Sequence, residues 1–415
     1  MIKDKSTDKL KNIIKKIKDK SYNEALQLLK NLSDKDQNNN LVFKLYASIY
    51  FKKKDWENAI KYYKKILSFE NDKFGIYNNI GVSLFNLGKI NQSIKAFKQS
   101  ITEKNNFDLA YDNLGISYKE IGMYDEAINN FTLALNLNKN NYRAKSNLIS
   151  TLPVIKPKNK NLHPIIKSNY EIFKLSKKIS INSQINSENI KNILVESENI
   201  ISKINDDLKY FETQIFRKNT VNLNCNRHFK IFNEFKIIPK YCFNCYKIQV
   251  TLSNVVDLIK LFFVFDKIDL NNNNIRKCIS EIRPNIKGNY KGYIYCDGLT
   301  ETKKIFELIN KIIKKLEFHK PVVNIKHGCS EFSEEYPEYE KFDLNGKNEM
   351  IYNKSWEEKE NIVDKKIPTR NLEDKKIYSE TLRGFNLSDI LVIKNWINYA
   401  KIIGDLSYKK ITKEV

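Results

Sequence analysis

Residues 111–134 read YDNLGISYKEIGMYDEAINNFTLA, and the same pattern of large and small residues returns 34 positions earlier, over 77–100, and again over 43–66. Tyr111, Leu114, Gly115, Tyr118, Ala127, Phe131 and Ala134 align with Tyr77, Ile80, Gly81, Leu84, Ser93, Phe97 and Ser100. They align equally with Phe43, Tyr46, Ala47, Tyr50, Ala59, Tyr63 and Ile66. Small residues at fixed positions let two helices approach closely, and large ones fill the gaps between them. Gly88 and Gly122, one period apart, mark the turn inside each helix pair, and a weaker fourth unit contributes Tyr22, Ala25 and Leu29.

This register resembles the tetratricopeptide repeat (TPR) family over about residues 7–152, and it sets a first domain at 1–152. The proline usual near the end of each unit is replaced by Asn71, Asn105 and Lys139. The resemblance implies an all-α superhelix whose concave face takes a protein or peptide partner. In the family that face comes from the first helix of each pair, here Lys44, Ser48, Phe51, Asn78, Val82, Phe85, Asp112, Ile116 and Lys119. The family's carboxylate-clamp pattern is not matched. Asn79 and Asn113 read either as ligand-binding amides or as ordinary repeat residues.

Charge is less informative than it looks. The 415 residues hold 72 Lys+Arg against 49 Asp+Glu, a formal +23, but only seven of the basic residues are Arg. Arg is the side chain suited to bidentate phosphate recognition, so a Lys-borne surplus weakens a nucleic-acid reading. The apolar share of 41% is adequate for packed cores. The most apolar stretch, Val255–Phe265, is broken by Asp257 and Lys260, so no membrane span is expected. The start of the chain has no signal-peptide pattern, and six cysteines in this length are not a secreted disulfide scaffold. The expectation is a cytoplasmic protein. No P-loop, dinucleotide fingerprint, nucleophile elbow or H-E-x-x-H motif is present, so the reading leans away from an enzyme.

After the repeats, Pro153, Pro157 and Pro164 open a linker, and helical periodicity runs from Ser187 to Phe216, together giving a second segment at 153–220. Residues 221–342 read as a βαββαβ succession: strand Tyr241–Leu252, helix Ser253–Ile268, strands Ile275–Ile282 and Tyr290–Tyr295, helix Leu299–Leu316 and strand Val322–His327. That order suggests a ferredoxin-like two-layer α/β sandwich with strand order 4-1-3-2. A tail at 343–415 is irregular, anchored by Trp356, and ends in a helix at Ser388–Gly404 with Ser388 as its cap.

All six cysteines lie between Cys225 and Cys329. Cys225-x2-His228 and Cys242-x2-Cys245 are two ligand pairs separated by 13 residues, the donor set tetrahedral zinc prefers. Cys278, Cys296, His327 and Cys329 are alternative ligands, and their recruitment would permit an iron–sulfur cluster. A hairpin centred on residue 287 would set Cys278 opposite Cys296. Strand alternation puts His327 and Cys329 on one face with Val323 and Ile325, and Cys278 and Cys296 at apolar, helix-covered positions. Packing alone, a redox-active Cys242–Cys245 pair and a cysteine-dependent enzyme therefore stay open beside the metal.

One further alternative belongs to another class. Lys291-Gly292-Tyr293-Ile294-Tyr295-Cys296 resembles the third-strand signature of the RNA-recognition motif, which implies Tyr293 and Tyr295 as base-stacking residues. The foremost expectation is a TPR adaptor with a structural thiolate–metal site in its second domain.

Overall fold

The computed structural model describes residues 2–32, 39–156, 163–176, 185–204, 207–283, 286, 288–343, 349–366 and 376–412. Pro157 and the expected hairpin centre at residue 287 lie outside these. The chain divides into two compact units, Met1–Leu148 with Pro368–Ile377, and Ile149–Ile367 with Tyr378–Val415.

The first unit is built of helix pairs: α1 (Ile2–Lys18) with α2 (Tyr22–Lys30), α3 (Asn40–Lys52) with α4 (Trp56–Ile66), α5 (Phe74–Asn86) with α6 (Ile90–Glu103), and α7 (Asp108–Glu120) with α8 (Tyr124–Leu137). The next helix, α9 (Tyr142–Thr151), carries the boundary between the units. Ala25, Ala59, Ser93 and Ala127, each 34 residues from the last, are fully buried where the paired helices meet. A Cβ on Gly81 would stand 2.5 Å from the Phe97 ring, and one on Gly115 would stand 2.6 Å from the Phe131 ring. Glycine is therefore required by the closeness of the helices, since a real Cβ needs more than 3 Å.

The period extends further than the glycines alone advertise. Lys20, Lys54, Gly88 and Gly122 are spaced by 34 residues, and all four have positive φ (60, 60, 73 and 79°). The left-handed residue recurs in every intra-pair turn, although for lysine it costs roughly 1–2 kcal/mol. Four pairs thus share one turn geometry, including the weak N-terminal one.

The second unit carries a five-stranded sheet of order β1-β3-β4-β2-β5, with every neighbouring pair antiparallel. The strands are β1 (Gln214–Arg217), β2 (Cys245–Leu252), β3 (Arg276–Ser280), β4 (Tyr290–Asp297) and β5 (Val322–His327). Helices α10 (Pro164–Ser176) and α11 (Ser187–Ser202) precede β1, and α12 (Cys225–Phe235) follows it. Helix α13 (Val255–Lys267) lies between β2 and β3, and α14 (Gly298–Lys315) between β4 and β5. A short α15 (Ser330–Ser333), then α16 (Trp356–Lys366) and α17 (Leu387–Ile403), complete the unit. One sheet face is covered by helices: Gly292 lies so close to Leu261 and Phe265 of α13 that a side chain there would collide with them.

Several expectations are corrected. The helix from Ser187 stops at Ser202, and 214–217 pair as an edge strand with β3 instead of continuing it. Strand β2 starts at Cys245, because Lys240–Asn244 forms a 3-10 turn. Cys278 pairs with Gly292, not Cys296, so the hairpin register is shifted by four residues on the β4 side. The tail holds a helix, Trp356–Lys366, that its polar composition conceals. Helix α17 is capped by Asn386, whose side chain accepts from Asp389 N while Asp389 answers the Asn386 backbone, and it ends on left-handed Gly404.

The tail helix is core. Trp396 is fully buried and donates from Nε1 to Thr213 O at 2.7 Å. Arg217 of β1, 2% exposed, donates to Asp266 of α13 at 2.6 Å and to both oxygens of Asp389 of α17 at 3.2 and 2.9 Å.

Two outcomes are expected. Gly88→Ala should cost about 1–2 kcal/mol in urea unfolding followed by circular dichroism, whereas Lys54→Gly should cost nothing. Arg217→Met leaves two buried carboxylates without a counter-charge and should destabilise the second unit by about 3–5 kcal/mol, read from the fluorescence of Trp356 and Trp396.

Candidate functional site

In the repeat unit, the positions that the family uses for its inner face divide into two groups. Lys44 is exposed, and Ser48, Phe51, Val82, Phe85, Ile116 and Lys119 are half-buried. Asn78 and Asp112 are buried and accept hydrogen bonds from residues of later helices. Asn113 Nδ2 donates to Asn78 Oδ1 at 2.8 Å, Arg143 Nη2 to Asn113 Oδ1 at 2.6 Å, and Asn147 Nδ2 to Asp112 Oδ1 at 2.8 Å. Arg143 Nε also donates to Asp112. Asn79 donates to the Tyr63 hydroxyl at 3.2 Å. These amides therefore knit adjacent repeats together, while Phe51, Val82 and Phe85 pack one side against the repeat core and, with Ile116, stay half-buried.

In the second unit the cysteines divide as well. Helix α12 starts after left-handed Asn224, and Cys225 and His228, three residues apart, share one helical face. The orientation of α12 is fixed by Arg227, which donates to both Asp364 oxygens of α16 at 2.5 and 2.7 Å and lies 3.0 Å from Glu360. Cys242 sits in the 3-10 turn before β2, and Cys245 opens the strand. Together with Cys329 these residues line one cavity, walled by Leu223, Phe229, Tyr241, Tyr295 and Phe332. Four thiols and an imidazole from four elements thus line one cavity, without three of them grouped closely enough to hold an ion among the described residues.

The alternative ligands do not join them. Cys278 and Cys296 fall in the register set of Gly292 and Ile294, on the helix-covered face, and both are buried. His327 is held between two backbone carbonyls, with Nδ1 2.6 Å from Tyr339 O and Nε2 3.0 Å from Phe243 O, so neither ring nitrogen is free for a ligand. Cys329 leaves the face that alternation assigns to it. Gly328 takes φ +60°, donates to Cys245 O at 2.8 Å, and turns the chain so that Cys329 meets Lys247 on the opposite face from His327. A side chain at Gly328 would also collide with the Tyr339 ring.

Lys247 is the residue that sequence reasoning missed. It shares a strand face with Cys245, is only 7% exposed, and donates from Nζ to Cys329 Sγ at 3.1 Å with the Tyr295 ring centroid 5.3 Å away. Burial opposes its charge, while its neighbours, Cys329 first, favour it, and the net direction is upward from the ordinary lysine value. The signal was a lysine two residues after Cys245 in an otherwise apolar strand. Burial pushes the Cys242 thiol up, and pushes Cys245 up to about 11 although Lys247 pulls it the other way. His228, stacked 5.3 Å from Tyr241, is lowered to about 4 by burial and by Arg227.

This arrangement does not fit zinc as it stands. Zinc ligands must be deprotonated thiols or neutral imidazoles directed at one point. Among the described residues no three His, Cys, Asp or Glu side chains are grouped to hold an ion. The buried ammonium in the same cavity adds a repulsive charge. The wider set for an iron–sulfur cluster is split across the two sheet faces. Tyr293 and Tyr295 do share a face, yet each ring already has a lysine over it, Lys277 at 5.1 Å and Lys247 at 5.3 Å.

The lowered His228 has a consequence for stability. Between pH 6.5 and about 4 the unfolded chain takes up a proton that folded His228 refuses, so stability falls with pH by about 1.4 kcal/mol per unit for this group. His327, lowered by burial, adds in the same direction. His228→Gln should flatten the slope by one proton in urea titrations at pH 7 and pH 5.

A model of the tetratricopeptide repeat matches residues 45–73, 74–107 and 109–141. No curated protein matches the chain. Among solved structures, a crystal structure of MamA is similar at 22% identity, covering 33% of this chain and 80% of that one with a TM-score of 0.31. The Arabidopsis OM64 TPR domain is similar at 22% identity, 27% and 93% coverage and a TM-score of 0.26. The first TPR of Spaghetti (RPAP3), bound to an HSP90 peptide, gives 22%, 27% and 89%, and 0.26. No helix among the described residues is long and apolar enough to cross a membrane. Residues 45–141 of this chain are tetratricopeptide repeats.

Proposed function

We propose that this chain is a protein-interaction adaptor whose repeat unit takes an extended segment of a partner protein along the inner faces of α3, α5 and α7. One observation supports the reading above others: the polar inner-face residues Asn78 and Asp112 are used up between repeats, while Phe51, Val82, Phe85 and Ile116 stay half-buried. An interface gains most from such apolar anchors set among polar groups that are already satisfied. The partner segment is accordingly apolar at alternate or helical spacing, not a chain terminus gripped by its carboxylate. Zinc on Cys225, His228, Cys242 and Cys245 is left out of this reading, because Lys247 stands among the four.

The test is selection of peptides from a random displayed library on the full-length protein, followed by measured affinities. Phe51→Ala with Phe85→Ala should weaken the selected peptides at least about tenfold, measured at a temperature where circular dichroism shows the variant still folded. Ser48→Arg, which places a bulky cation on the same face without removing packing, should weaken them as well. Unchanged affinity in both variants would contradict the groove assignment.

A further inference from the structure

A buried ammonium needs a partner that offsets its desolvation. The hydrogen-bond acceptor of Lys247 is a sulfur, Cys329 Sγ at 3.1 Å. Carboxylates are the usual answer to a buried lysine, and none lines this cavity. The lysine is instead surrounded by thiols. Cys242 is buried, Cys245 and Cys329 are both half-buried, and Cys225 is exposed. Of the two half-buried thiols, Cys329 is the one that accepts from Lys247. Cys225 and Cys329 line the same cavity, Cys225 from the first turn of α12 and Cys329 from the turn that Gly328 reverses. A sulfur beside a lysine, with a second thiol in the same cavity, is the setting in which cysteines react with peroxides.

We propose that Cys329 and Cys225 form a peroxide-oxidised thiol pair, with Lys247 as the cation that serves Cys329. The Cys329 sulfur attacks one oxygen of a hydroperoxide. An S–O bond forms, the O–O bond breaks, and the alcohol or water leaves with the thiol proton. Cys329 is oxidised by two electrons to the sulfenic acid and the peroxide is reduced. The Cys225 sulfur then attacks the Cys329 sulfur. The S–S bond forms, the S–O bond breaks, and water leaves with the Cys225 proton. In sum, two thiols and one hydroperoxide give a disulfide, an alcohol and water. Lys247 Nζ, already a donor to Cys329 Sγ, is placed to stabilise the charge that develops on the leaving oxygen. The Cys225 end lies on α12, so closing the bond pulls on the Arg227 anchor to Asp364 and on the helix that carries His228.

The experiment uses the full-length protein, reduced and treated with chelator, then exposed to one equivalent of hydrogen peroxide. Intact and peptide masses are read without reductant. The expected product has lost two hydrogens, contains a Cys225–Cys329 cross-linked peptide, and reverts with dithiothreitol. Cys225→Ser should stop at the sulfenic acid, trapped on Cys329 by dimedone. Lys247→Met should slow the oxidation at least about tenfold, and Lys247→Arg, which keeps a cation, should restore most of it. Three results would overturn the proposal: no reaction of Cys329 above that of the unfolded protein, a disulfide between other cysteines, or a gain of one oxygen with loss of two hydrogens joining Lys247 to Cys329. If Lys247→Met does not fold, the Cys225→Ser trapping result decides alone.

Discussion

A guanidinium removed from water must be answered on every side, and Arg217 is the place where the second unit meets that demand. Its neighbours are Asp266 on α13, Asp389 on α17, the Gly384 carbonyl at 3.1 Å and the Phe262 ring 4.9 Å away. Asp266 in turn accepts from Gly384 N at 3.0 Å with both its oxygens. Taking three charges out of water costs several kcal/mol each, and only a complete set of partners offsets it. The geometry is therefore all or nothing. Because the cluster joins the edge strand β1, helix α13 and helix α17, residues that look like spacer, domain and tail become one unit. The helix-covered sheet face is built on that cluster, and the opposite face is left for Lys247, Cys245 and the cavity.

How much of this was legible depends on where the information is stored. The repeats were, because a 34-residue period is written in side-chain sizes that the helices need. Even there, the left-handed turns at Lys20 and Lys54 were hidden, since lysine does not advertise a positive φ as Gly88 and Gly122 do. The extent of β2 to β5 followed from alternation and cap residues to within a few positions. Hairpin register did not, because it is set by the connection between the strands and not by the strands it joins. The edge strand at 214–217 was read as helix, because its four residues gain their partners only from β3.

The thiol site shows the same division. The pairs Cys225 with His228 and Cys242 with Cys245 line the same cavity, the first pair from one face of helix α12 and the second from the 3-10 turn and the start of β2. What spacing could not show is the company they keep. Gly328 reverses the chain and delivers Cys329 to the cavity, and Lys247 reaches into it from the strand. Among the many lysines behind the +23 charge, Lys247 is one that is buried and acts on cysteines, and it changes a zinc-like donor set into a cationic thiol pocket. In the composition the surface charge decided little, and the clustered cysteines said more. The geometry adds to them one charge inside.

The account turns on thiols gathered around a lysine instead of a metal ion, and metal stoichiometry measures that most directly. Full-length protein produced in zinc-replete medium and purified without chelator, under reducing conditions, would be weighed intact in its native state and then unfolded in the presence of a zinc-sensitive dye. The account expects the mass of the bare chain and no zinc released on unfolding. One equivalent of zinc, released together with the exposure of Cys225, Cys242 and Cys245, would contradict it.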